Sequence, residues 1–258
     1  VPTATGNDVL AMKDDLLSIV RVVRARNRST SDPGNRRVVF MDASSVAGTQ
    51  RVVGTSLTRT FGPGRQSRDR ELVEGQLAGT PFEPWVVPEP TPSSSFAGWE
   101  AAWGFYYFGH HLDESDSFGD RQRGLVVPTR TPGQVGLLSH ASVAGHLTER
   151  DVTLAVFAAC STAGSLDPSG LGSLARAVVA EGVRYAVGIF GPVSHLAMED
   201  FGERLFREVA AGVPLDAAVA TARAFAEARD SIPMIFTCVP EELVPYHPPV
   251  LLPAAPAF

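Results

Sequence analysis

Lysine and cysteine are both scarce in this chain. Among its 258 residues, Lys13 is the sole lysine, and Cys160 and Cys238 are the only cysteines. Two cysteines are too few for a disulfide framework, and they form no C-x-x-C pair of the kind that binds zinc. We therefore expect a reduced, cytoplasmic setting, with neither a metal site nor a cofactor.

Long apolar runs and an excess of positive charge are also missing. No apolar stretch approaches the roughly 18 residues of a membrane helix, and the first residues lack the pattern of a secretory signal. The formal net charge is −6 at pH 7, which argues against a protein that neutralises phosphates. The arginines between residues 21 and 37 are interpreted as a solvated face and linker. We expect no membrane and no direct nucleic-acid partner.

Several enzyme motifs are absent as well. The chain has no G-x-S-x-G elbow, which argues against a serine hydrolase of the α/β-hydrolase type. It has neither a P-loop nor a dinucleotide-binding glycine fingerprint, which argues against nucleotide-dependent enzymes.

Short apolar segments alternate with segments of helical periodicity from residue 36 onward. This pattern predicts an α/β fold, a three-layer sandwich whose mostly parallel central sheet has helices on both faces. Residues 1–35 are predicted to be an N-terminal helix, over 8–27, and a linker. The main domain is predicted over 36–240, followed by a Pro-rich tail over 241–258. The predicted core strands cover residues 37–42, 104–109, 152–158, 185–190 and 233–239.

Cys160 and His110 each follow a predicted core strand. In parallel sheets, ligands lie beyond the carboxyl ends of the strands, so the two side chains can meet if their strands are neighbours. An imidazole raises the thiolate fraction of a nearby cysteine and protonates the leaving amine in amide hydrolysis. A lone cysteine on an apolar strand is more often packing, but Cys160 is followed by the small and polar residues Ser-Thr-Ala-Gly, which indicates an exposed turn. Cys238 lacks such a turn and is interpreted as core.

These residues resemble the CHAT family of caspase-HetF-associated cysteine peptidases, relatives of caspases, separases and gingipains. The resemblance is carried by Gly109-His110, by Ala159-Cys160-Ser-Thr-Ala-Gly164 fifty residues later, and by the segments 170–178 and 181–188. It implies that the three-layer sandwich is caspase-like, that Cys160 is the nucleophile and that His110 is the general acid/base. It also implies an oxyanion hole made by the backbone N–H groups of Cys160 and of the residue after the catalytic histidine, here His111.

His111 departs from the family pattern, which has glycine at this position. A side chain here restricts the backbone angles and adds bulk beside the oxyanion position. Because consecutive side chains of a strand point to opposite faces, only one of His110 and His111 can address Cys160. We favour His110, since Gly109-His110 fits the family motif, and leave His111 as the alternative.

Acidic residues near the predicted cleft are candidates for substrate selection. Asp113, Glu114 and Asp116 follow the histidines and would attract a basic peptide, although a solvated acidic loop explains them equally well. Asp42 ends the first predicted core strand, where relatives that cleave after Arg or Lys place an acid. All four are candidates for a specificity pocket.

The sequence thus predicts an endopeptidase that cleaves a protein or peptide partner through its Cys-His dyad. The family resemblance implies regulation in bacterial signalling or defence, with a helical-repeat or ligand-sensing module as a further partner. The main alternative is a catalytically inactive scaffold or protein-binding domain, for which His111 in place of glycine is the motivating observation.

Overall fold

The computed structural model contains two β-sheets and four described helices. Thirteen strands lie within the described residues. The structure describes residues 8–13, 16–25, 35–62, 75, 77–160, 162, 173–191, 195–225 and 232–239. The predicted Pro-rich tail over 241–258 lies outside this part of the chain.

The larger sheet has eight strands, five of whose seven neighbouring pairs are parallel. Its strand order is β1-β2-β13-β12-β11-β7-β3-β6. The predicted mixed α/β class is confirmed. The strands are β1 (Asp8–Lys13), β2 (Leu16–Val22), β3 (Arg37–Asp42), β6 (Glu83–Val86), β7 (Gly104–Phe108), β11 (Leu154–Ala158), β12 (Tyr185–Phe190) and β13 (Ile232–Thr237).

The helix predicted over residues 8–27 is wrong. This segment forms the antiparallel pair of β1 and β2, and β2 continues the large sheet by pairing in parallel with β13. Ile19, Val20 and Val22 are β-branched, and such side chains favour the pleated surface of a sheet over a helix. The helical spacing of the leucines is therefore overridden by pairing with a distant strand.

Apolar side chains cover both faces of the large sheet. Phe40, Tyr106 and Val156 lie on one face and pack with the helices α3 (His195–Ala210) and α4 (Leu215–Phe225). Neighbouring residues such as Phe105 and Phe157 lie on the other face and pack with α1 (His140–Glu149) and α2 (Leu174–Glu181). Because successive strand residues alternate between faces, a continuous apolar run such as Leu154–Ala158 is buried along its whole length.

A second sheet of five strands, which the sequence did not predict, follows the order β5-β4-β10-β9-β8. It surrounds a small apolar cluster that includes Val46, Val52 and Val126. Its edge strands β5 and β8 are joined by an Arg59–Glu114 ion pair, so the sheet curls until its edges face each other. The strands are β4 (Gly48–Val52), β5 (Thr58–Phe61), β8 (His110–Ser115), β9 (Arg121–Pro128) and β10 (Gln134–Ser139).

Within the described residues, no helix is long and apolar enough to cross a membrane.

Candidate active site

The carboxyl ends of β3, β7 and β11 lie side by side. These strands pair in parallel, and Asp42, Phe108 and Ala158 stand in register across them. The Gly109 N–H donates to the Ala158 carbonyl at 3.4 Å, so the pairing extends one residue further. His110 and Cys160 each lie two residues beyond the register pair of Phe108 and Ala158. The two predicted strands are therefore neighbours, and they bring His110 and Cys160 to the same edge of the large sheet.

The His110 ring packs against residues of the apolar cluster in the curled sheet. Its Nε2 lies 3.1 Å from the carbonyl oxygen of Val46, and its ring packs on Phe61 with 4.9 Å between centroids. A carbonyl oxygen only accepts hydrogen bonds, so Nε2 must carry the proton in this contact. In the neutral ring the lone pair is then on Nδ1. The contact thus fixes both the orientation and the tautomer of His110.

The His111 ring lies on the opposite face of β8. Its Nε2 is 2.9 Å from Nε2 of His140, and the ring also hydrogen-bonds to the backbone of Cys160. Burial, together with the nearby His140, lowers the pKa of His111 to about 3. Burial likewise lowers the pKa of His140 to about 4. Both rings are therefore neutral near pH 7.

The backbone at His111 is compatible with a side chain. Among the non-glycine residues that the structure describes, only Glu89 and Asp151 have positive φ angles. His111 therefore has an ordinary strand conformation, which any residue adopts.

Tyr107 and Gly109 hold the backbone that leads into His110. The buried Tyr107 hydroxyl lies 2.7 Å from both the His110 and the Val126 carbonyl oxygens. Gly109 has a φ of 159°, and a Cβ there would come within 2.7 Å of the Tyr107 hydroxyl. The close approach of the tyrosine therefore requires glycine immediately before His110.

Thr162 fixes the turn after Cys160. Its side chain is fully buried, and its hydroxyl lies 3.0 Å from the Phe157 carbonyl and 3.1 Å from the Ala159 carbonyl. The same hydroxyl accepts the Ile189 N–H at 2.9 Å, which connects the turn to β12. Residues 161, 163 and 164 of the predicted motif lie outside the described part of the chain. Cys160 itself is half-buried.

Asp42 lies at the edge shared with His110 and Cys160. Its Oδ1 accepts the Ser44 N–H at 2.8 Å, an Asx turn of the kind that aspartate often forms. The side chain is half-buried. Of the four acids suggested by the sequence, Asp42 is the one that the structure places at the end of a strand of the large sheet.

The other three acids already have partners in the curled sheet. Asp113 binds Arg121 at 2.7 Å and Arg123 at 2.9 Å, and Glu114 pairs with Arg59. Burial alone would raise the pKa of Asp113, but the two arginines outweigh it and lower that pKa. The carboxylates of Asp113 and Glu114 are therefore neutralised by arginines of the curled sheet.

Asp116 stabilises the turn between β8 and β9. Its Oδ1 accepts the Phe118 and Asp120 N–H groups at 2.9 and 3.0 Å. It also lines a cleft with Arg51 of β4 and with residues of the β4–β5 turn, including Ser56. Asp116 thus has a local structural role at a hairpin tip.

The residues that the structure describes contain no group of three or more His, Cys, Asp or Glu side chains arranged to hold a metal ion. Sequence reasoning missed four residues that shape the site: Val46, Tyr107, His140 and Thr162. Thr162 lay inside the recognised Ala-Cys-Ser-Thr motif, so its position was a usable signal. Val46 acts through its backbone carbonyl. Because every residue has this group, the residue type gave no signal.

The fold is α/β, and the ends of two adjoining strands of its large sheet lead into a cysteine and a histidine. The family model of the CHAT domain matches residues 110–247, just over half of the 258 residues. The chain therefore belongs to the CHAT domain family, as its sequence resemblance predicted.

Two solved structures were found to be similar in a structural comparison. One is the complex of Porphyromonas gingivalis RgpB pro- and mature domains, at a TM-score of 0.49 and 9% identity, covering 86% of this chain and 51% of that one. The other is the Arg-specific cysteine proteinase gingipain R (RGPB), at a TM-score of 0.46 and 9% identity, covering 83% of this chain and 48% of that one. The chain spans about half the length of each. No curated protein sequence matches it.

Proposed function

We propose that this chain is a cysteine endopeptidase in which Cys160 is the nucleophile and His110 the general acid/base. The observation that carries the proposal is the contact from His110 Nε2 to the Val46 carbonyl. A carbonyl acceptor requires the proton on Nε2 of the neutral ring, which supports Nδ1 as the nitrogen that acts as base toward Cys160. His111 fits this role less well, because its ring contacts His140 and the Cys160 backbone.

The proposed reaction begins when His110 Nδ1 takes the proton from the Cys160 thiol. The thiolate attacks the peptide carbonyl carbon, and the backbone N–H groups of Cys160 and His111 stabilise the resulting oxyanion. The C–N bond then breaks as His110 returns the proton to the leaving nitrogen. Water, deprotonated by His110, hydrolyses the thioester and releases the thiol.

We propose that Asp42 selects a basic side chain before the scissile bond. Its carboxylate lies at the same sheet edge as the dyad, and a half-buried negative charge attracts Arg or Lys while disfavouring Asp or Glu. Asp113 and Glu114 are neutralised by arginines, so they contribute less to this choice. Asp116, which caps a turn, also has a smaller role.

The family supports a proposal for the biological setting. We propose a caspase-like peptidase that cleaves a specific protein partner and is regulated by a helical-repeat or ligand-sensing module in bacterial signalling or defence. The cytoplasmic location and the extent of the peptidase domain over 36–240 stay predictions from the sequence.

Fluorogenic peptides that differ only in the residue before the scissile bond test this function. We expect turnover after Arg or Lys, loss of turnover in Cys160→Ala, and a fall of about 100-fold or more in kcat for His110→Ala. Asp42→Asn should lower kcat/KM for the basic peptides. Cys238→Ala, which removes the other cysteine, is the matched control and should retain activity.

Candidate protein partners are then incubated with the wild type and with Cys160→Ala, and new N-termini are sequenced. Cleavage by both proteins would contradict the assignment of Cys160. A wild-type thiol that reacts with no peptide electrophile, with or without candidate activators, would favour the inactive scaffold instead.

A further inference from the structure

The rings of His111 and His140 meet end to end. Their Nε2 atoms are 2.9 Å apart, their planes differ by 20°, and their centroids are 5.2 Å apart. The distance between the centroids is longer than the distance between the nitrogens by about the width of one ring. This is the relation expected when two rings lie in line. The contact therefore has the length and in-plane direction of an N–H···N hydrogen bond.

This geometry does not suit a metal ion. An ion between the two nitrogens would lie about 1.5 Å from each, given their 2.9 Å separation, whereas zinc–imidazole bonds are about 2.0–2.1 Å long. The described residues also supply no group of three metal ligands around the pair. A shared proton explains the contact better than a missing ion.

The direction of the two hydrogen bonds, between His140 and His111 and between His111 and Cys160, follows from the contact with Cys160. The His111 ring bonds to the Cys160 backbone in the sense that favours the protonated ring, so the ring donates and the carbonyl accepts. Because burial lowers the pKa of His111 to about 3, the ring is neutral and has one N–H. Its Nε2 must then accept the proton that His140 Nε2 donates. The bonds run from His140 to His111 to Cys160.

His140 is anchored independently of the site. It is the first residue of α1, directly after the N-cap Ser139, whose hydroxyl accepts the Ser142 N–H at 3.2 Å. On the other side of Cys160, Thr162 ties the turn to β11 and β12.

We propose that His140 and His111 form a positioning relay that fixes the Cys160 carbonyl and thereby orients the thiol toward His110. The relay rests on the proposed function of Cys160 as nucleophile. His140 is then a positioning residue, although it lies 20 residues before Cys160 in the sequence and on a different element.

The test compares His140→Phe with His140→Gln. Phenylalanine keeps the ring but removes the donor, whereas the glutamine amide can replace the Nε2–H donor. We expect kcat to fall about tenfold or more in His140→Phe with KM nearly unchanged, and His140→Gln to recover most of it. His146→Phe is the matched control on the same helix, because His146 contacts Phe96 and Glu149 instead of the site.

A second measurement does not depend on turnover. The rate at which iodoacetamide alkylates Cys160 at pH 7 is followed by peptide mass spectrometry, with Cys238 in the same sample as reference. We expect Cys160 to react several-fold more slowly in His140→Phe and at the wild-type rate in His140→Gln and His146→Phe.

Equal alkylation and equal kcat in wild type and His140→Phe would overturn the relay. It would also be overturned if His140→Gln were as impaired as His140→Phe, since packing would then explain the effect. If the wild type cleaves no peptide but the alkylation rates differ as expected, the relay stands and the peptidase proposal fails.

Discussion

Strands β7 and β11 of the large sheet are buried along their whole length, whereas β4 and β5 of the curled sheet expose most of their residues. The large sheet is stabilised by apolar packing on both faces. The curled sheet has a small apolar cluster and is reinforced by side-chain contacts such as Arg59–Glu114 and Arg121–Asp113. Cys160 follows a strand of the first, and His110 begins a strand of the second.

The difference matters because the proposed Cys-His dyad would span both sheets and would depend on their relative placement. Cys160, the proposed nucleophile, is attached to the part of the molecule with the most buried apolar surface. His110 is attached to a sheet with much less of it, and is oriented by Val46, Phe61 and Tyr107. Stability should therefore be determined mainly in the large sheet, while the curled sheet should affect activity more than stability.

The strongest test of this contrast is a pair of phenylalanine truncations. Phe157→Ala removes a fully buried ring from β11 and should lower the free energy of unfolding by about 3–5 kcal/mol. Phe61→Ala removes a half-buried ring that packs on His110, and should cost much less stability but reduce kcat. Urea unfolding and peptide turnover measure the two effects. A larger stability loss for Phe61→Ala would contradict the contrast.

The second-largest expected effect is that acid weakens the junction between the two sheets. His111 and His140 have pKa values lowered from 6.5 to about 3 and about 4, so between these values and 6.5 the unfolded chain binds more protons. The free energy of unfolding should therefore fall as pH drops below about 6.5, by up to about 1 kcal/mol per pH unit for each histidine. Urea unfolding at pH 7 and pH 5 measures this loss.

His140→Gln serves as the comparison for the acid effect, because it removes one of the two titrating rings. Its stability should fall less between pH 7 and pH 5 than that of the wild type. The pKa of Asp113 is lowered from 3.8, so its contribution to the free energy of unfolding is lost only as pH falls below about that value. Asp113 therefore does not affect the comparison between pH 7 and pH 5. An equal loss in both proteins would mean that other groups are responsible.

The smallest expected effect concerns the hydroxyl that joins the sheets. Tyr107→Phe removes the group that contacts the His110 and Val126 carbonyls, and should cost about 1–2 kcal/mol in unfolding free energy. Because His110 loses a backbone contact, we also expect a modest fall in kcat with little change in KM. Tyr106→Phe, whose hydroxyl bonds to Met198 at 2.7 Å, is the control. It should lose similar stability but keep its activity.

The sequence predicted the parts of the fold that depend on long apolar runs. Leu154–Ala158 and Tyr185–Phe190 are recognisable because a strand buried on both faces has no polar alternation. The same reasoning failed at residues 8–27, where leucine spacing favoured a helix. The deciding partner of that segment is β13, more than 200 residues later, and local periodicity contains no information about it.

Which residues form the site stays a prediction, but the sequence did identify the two strands whose ends the structure places side by side. Cys160 and His110 stand out because each follows a core strand, and the family motif separates His110 from His111. The acids illustrate the limit: Asp113 and Glu114 read as a negative loop, yet Arg121, Arg123 and Arg59 neutralise them through pairings that depend on the curled sheet. The His111–His140 contact was also missed, because it joins a strand to a helix 29 residues away.

The parallel pairing of β2 with β13 has a consequence for folding. Ile19 pairs with Met234, so the β1–β2 pair joins the large sheet only when nearly the whole described chain has been synthesised. Contacts of such large sequence separation close slowly, and domains generally fold as units during synthesis. The nascent chain should therefore complete its large sheet late, which delays a finished site until β13 has left the ribosome.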